Sequence, residues 1–64
     1  MKIKTAKTIV GIWNNIEASE PDISDEQLFA RTSDTATRLF GWDVDNGHVG
    51  EALSIVHEIE QAKA

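Results

Sequence analysis

Between Leu28 and Ile59 the apolar residues recur at helical spacing, and the repeat is interrupted once, at Gly41-Trp42. At roughly 100° per residue, Phe29, Thr32, Thr35, Ala36, Leu39 and Phe40 join Leu28 on one side of a helix. The same rotation from Val49 gathers Ala52, Leu53, Ile55, Val56 and Ile59 on one side of another. Each stripe is broader than a coiled-coil seam, so each helix is expected to touch more than one neighbour. The pattern asks for a small all-α domain.

Size sharpens that expectation. The chain has 64 residues and no cysteine, so neither a disulfide nor a thiolate-bound metal supplements the core. A domain this short sits below the size at which one core comfortably stabilises a chain, which points to a homo-oligomer or a protein partner. The absence of cysteine fits a reducing compartment. No apolar run approaches the roughly 18 to 20 residues of a membrane span. The opening MKIKTAKTIVGIW has a basic start but neither a long apolar centre nor a small-residue cleavage site. The expectation is a soluble, cytoplasmic protein.

The formal charge of −5 is unevenly spread. Lys2, Lys4 and Lys7 make residues 1–16 purely basic, while residues 17–64 carry all eleven acids against Arg31, Arg38 and Lys63. A duplex-binding surface needs its cations on one face, and the two helices after Ser24 lack that. The acidity reads first as solubility, and secondly as a surface for a basic protein partner.

A first helix is expected at about 4–18, with Ile3, Ala6, Ile9, Val10, Trp13 and Ile16 inward and Lys4, Lys7, Gly11, Asn14 and Asn15 outward. Its β-branched run Thr8-Ile9-Val10 and interior Gly11 make it the weakest of the three. Residues 1–5 are alternatively an extended arm. Pro21 ends that helix near Ser19. Ile23-Ser24-Asp25-Glu26-Gln27-Leu28 then combines an N-cap, a reciprocal Gln three residues on, acids in the first turn and the ends of a hydrophobic staple. The second helix is expected at 25–40, antiparallel to the first across so short a turn. Asp34 between Arg31 and Arg38 suggests a charge network on its outer edge. Gly41 is the left-handed stop, with Trp42 folding back over the apolar face. Asp45 or Asn46 caps a third helix at about 47–61, and Gln61-Ala62-Lys63-Ala64 frays.

Constellations that carry chemistry are thin. Asp43-Val44-Asp45-Asn46-Gly47 resembles a calcium loop, but neither register places the ligands. With Gly47 at the sixth position the first is Trp42 and the twelfth Leu53; with Asp43 first, the sixth is His48 and the twelfth Ser54. His48 and His57 stand nine residues apart, on opposite sides of a helix rather than at the i and i+4 spacing of a zinc pair. His48 and Glu51 make a two-ligand edge at most. His48 reads as a first-turn residue and His57 as bordering the core. Ser54 lies three before His57 but lacks an oxyanion-forming turn, and no glycine-rich phosphate loop is present. No enzymatic activity, metal, cofactor or small-molecule substrate is expected.

Leu39-Phe40-Gly41-Trp42, followed by Val49, Ala52 and Leu53, superficially resembles the helix, glycine-aromatic loop and helix of ubiquitin-associated domains. That resemblance implies ubiquitin binding through the loop and a following helix. No such helix follows here and the preceding ones are longer, so the function is not carried over. An acyl-carrier reading fits the acidity, but Ser24 is followed by Asp25 and Glu26 rather than lying in an Asp-Ser-Leu attachment sequence.

Two readings remain. One is a protein-interaction or regulatory module, with Trp13, Phe40, Trp42, Ile55 and Ile59 as interface candidates. The other is a nucleic-acid-associated regulator of helix-turn-helix-like architecture that uses Lys2, Lys4 and Lys7. The third helix would then have to read a groove with Glu51, Ser54, Glu58 and Gln61, a face that repels phosphate.

Overall fold

A computed structural model describes residues 1–63. Three helices, α1 (Ile3–Ser19), α2 (Asp25–Phe40) and α3 (Asn46–Lys63), enclose one core. Their bounds fall within two residues of the expected ones. No arm precedes α1: the Ala6 amide already donates to the Lys2 carbonyl at 3.0 Å. The expected fraying at Gln61 is replaced by helix through Lys63, and Ala64 lies outside the described residues.

The connections follow their local chemistry. At the end of α1 the Glu20 amide donates to the Ile16 carbonyl, and the Ile23 amide closes a turn over Pro21-Asp22 onto the Glu20 carbonyl. Ser24 caps α2, its hydroxyl accepting from the Gln27 amide at 3.3 Å. Leu28 is buried and Ile23 half-buried, as a staple requires. Gly41 ends α2 at φ 78°, the left-handed conformation that a side chain disfavours. Asp45 caps α3 through the His48 amide, at 2.9 Å.

The weakest helix by propensity turns out to be the organising one. α1 packs against both other helices, most extensively against α3, while α2 and α3 touch each other least. Ala6 and Ile9 are fully buried in the shared core with Ala36, Val44, Val49 and Ala52. Tertiary burial overrides the poor intrinsic propensity of the β-branched run.

That core is built from small side chains. Among the described residues, Ile9, Leu28 and Val49 are its large aliphatic groups buried to 1% exposure or less. Trp13, Phe29, Phe40, Leu53, Ile55 and Val56 pack against it while only half-buried. The Cα envelope measures 29 × 28 × 16 Å, a slab too thin to hide both sides of every helix.

Several expectations are corrected. Thr35 and Leu39 do not join the core: Thr35 is exposed and Leu39 is 63% exposed. The buried line of α2 is Leu28, Thr32 and Ala36, narrower than the predicted arc. Arg31 turns away from Asp34 to pair with Glu20, leaving Asp34 with Arg38 at 3.1 Å. The long guanidinium reaches back to the end of α1, which ties the first connection to α2. His57 is exposed and does not border the core.

Candidate functional surface

The α2–α3 connection is short, and its backbone is fixed by a side chain of α2. Thr37 Oγ1 accepts from the Val44 amide at 2.9 Å and donates to the Val44 carbonyl at 3.1 Å. Val44 is thereby driven into the core at 3% exposure. With Gly41 setting the exit from α2 and Val44 anchored, Trp42 is carried outward on a constrained segment.

Trp42 stays 43% exposed, although it was expected to fold back over the apolar face. It folds back only as far as Phe40, with the rings stacked at 5.8 Å and 20° between planes. Its other neighbour is His48, met edge-on at 5.3 Å and 84°. The indole therefore bridges the last turn of α2 and the first turn of α3 while keeping one side open.

Beside it lies an open groove of about 430 Å³, lined by Met1, Lys2 and Thr5 of the α1 end, Trp42 of the connection, and His48 and Glu51 of α3. The amino group of Met1 stands 3.5 Å from Glu51 Oε2. Glu51 is thus engaged by Met1, and His48 pairs with Asp45 at 2.9 Å. The His48 backbone N–H holds the Asp45 carboxyl below its ordinary value, helped by the nearby imidazole and the Gly47 amide.

Of the residues singled out from sequence, Phe40 and Trp42 are brought together by stacking, and Lys2 shares the groove with Trp42. Trp13 lies elsewhere, packed edge-on against Phe29 at 4.8 Å between α1 and α2. Ile55 is half-buried against the core, and Ile59 is half-buried further along α3. Lys2, Lys4 and Lys7 are exposed on α1 and its entry, with Lys2 reaching the groove. Two residues of this surface escaped the periodicity: Thr37, whose role depends on a long-range backbone partner, and His48, whose contact with Trp42 needs the loop's path. The spacing of Asp45 and His48 as N-cap and third helical residue is the one sequence signal for the latter.

Among the described residues no group of three or more His, Cys, Asp or Glu side chains gathers to hold a metal ion, and no helix is long and apolar enough to cross a membrane. Comparison with family models, curated proteins and solved structures finds no match.

Proposed function

We propose that this chain is a small protein-interaction module, acting by binding rather than catalysis, and that its first partner is a second copy of itself. The single observation that carries the reading is Trp42: a large indole, 43% exposed, stacked on Phe40 and mounted on a connection pinned by Thr37. Rigidly presented aromatic groups of this kind supply most of the energy of protein interfaces, since little side-chain entropy is lost on docking. Leu39, adjacent to Phe40 in sequence, adds a 63% exposed aliphatic group to the same end of α2.

The second copy is supported by the smallness of the core. Half-buried aromatic and aliphatic groups surround a centre of three alanines, two valines and one isoleucine. Covering such groups stabilises a chain that folds with little apolar volume of its own. In this reading α1 and α2 form an antiparallel pair across the Glu20–Ser24 connection, with α3 completing each protomer.

Concentration-dependent amide and indole NMR spectra test the proposal. The expected shifts on concentration cluster at Leu39–Trp42 and along the groove, with the Trp13 indole much less affected. Spectra unchanged by dilution would remove the second copy from the proposal. Shifts confined to the Lys4–Lys7 face, together with salt-sensitive binding of a short DNA duplex at low ionic strength, would favour the nucleic-acid reading instead.

A further inference from the structure

At the start of α3 one nitrogen has two partners and can satisfy only one at a time. His48 Nδ1 lies 3.2 Å from the Asp45 backbone nitrogen and 2.9 Å from Asp45 Oδ1. A neutral imidazole with its Nδ1 lone pair free accepts the Asp45 N–H. With the Asp45 carboxylate accepting the His48 amide at 2.9 Å, this makes a reciprocal cap in which His48 replaces the usual Glu or Gln. Once Nδ1 carries a proton it has no lone pair left, so it donates to the Asp45 carboxylate and the Asp45 N–H is released.

We infer that His48 is a proton-operated latch that exchanges the reciprocal cap of α3 for an Asp45–His48 ion pair and transmits the change to Trp42. Transmission rests on the contact between the two rings, whose centroids lie 5.3 Å apart at 84° between planes. The charged groups around the imidazole come from every element that meets it. Asp45 belongs to the connection and Glu51 to α3, while the Met1 amino group and Lys2 approach from the residues that lead into α1. Among the described residues, α2 contributes no charged side chain to the groove. Proton uptake at His48 thus acts on a single aromatic group that sits between two helices.

Regulation of partner binding by this latch rests on the reading of Trp42 as an interface residue; the latch itself does not. It is tested on the isolated chain at the lowest workable concentration, by NMR titration of the imidazole protons, the Asp45 amide and the Trp42 indole from about pH 8 to about pH 5, where imidazoles take up their proton. The expected result is one shared midpoint for His48, the Asp45 amide and the Trp42 indole. In His48→Gln, with helix content checked by dichroism, the shared transition is lost completely. Titration of His48 with the Asp45 amide and Trp42 indole stationary would overturn the inference, as would a transition that persists in His48→Gln. The wild-type titration decides the matter even if the variant fails to fold.

Discussion

The hydroxyl of Thr37 holds both the amide and the carbonyl of Val44, at 2.9 and 3.1 Å, so one side chain of α2 closes the connection to α3. A β-branched residue that weakens α2 by propensity repays this at tertiary level. Thr37→Val keeps the shape and removes both hydrogen bonds, leaving the Val44 amide beside the core without its partner. The expected cost is about 1–3 kcal/mol. Urea unfolding should show that loss, and a change in Trp42 fluorescence (read in a Trp13→Phe background) should accompany it.

Thr32 gives the opposite expectation. It is fully buried on α2, and its Oγ1 has no hydrogen-bond partner. Burying a hydroxyl unpaired costs about 1–3 kcal/mol in mutational series, and Val matches both its shape and its helix propensity. Thr32→Val should therefore stabilise the chain by about 1 kcal/mol, raising the thermal midpoint by roughly 4–8 °C at this size. The contrast with Thr37→Val separates a partnered hydroxyl from an orphan on the same helix.

Those two threonines mark where sequence stops being informative. Helical periodicity placed all three helices, and the cap at Ser24 and the stop at Gly41 located the ends of α2, because those signals are local. Burial at Thr32 and Ala36 but not at Thr35 and Leu39 depends on where α1 crosses α2, which no spacing within α2 encodes. The same holds for the central position of α1, whose propensity argued the other way until Ile9 and Ala6 found the core. At the candidate surface, Phe40 and Trp42 were legible as aromatic groups flanking a glycine. Their stacking, and the approach of His48, follow from the course of residues 41–45.

Asp45 carries a definite pH dependence. The His48 backbone N–H is the main cause holding its carboxyl below the ordinary 3.8. A folded pKa depressed in this way contributes stability that is fully present above the unfolded value and is lost as the pH falls through the lowered folded value. The stability difference between wild type and Asp45→Asn should therefore shrink as the pH falls below the ordinary carboxylate value. Denaturant unfolding of both proteins across that window checks the sign. A difference that grows as the pH falls below the ordinary carboxylate value would contradict this role of the cap.

The central claim is that Trp42 is an assembly group and not simply a member of the core, and sedimentation equilibrium with far-ultraviolet dichroism on the same samples tests it most directly. Wild type and Trp42→Ala would be compared over a wide protein concentration range. Reversible association of the 7.1 kDa wild-type chain is expected. In Trp42→Ala that association should weaken by at least about tenfold, at unchanged helix content, as expected for an interface hot spot. A folded wild-type chain that stays at 7.1 kDa at every concentration would contradict it. So would a Trp42→Ala variant in which assembly and helix content fall together.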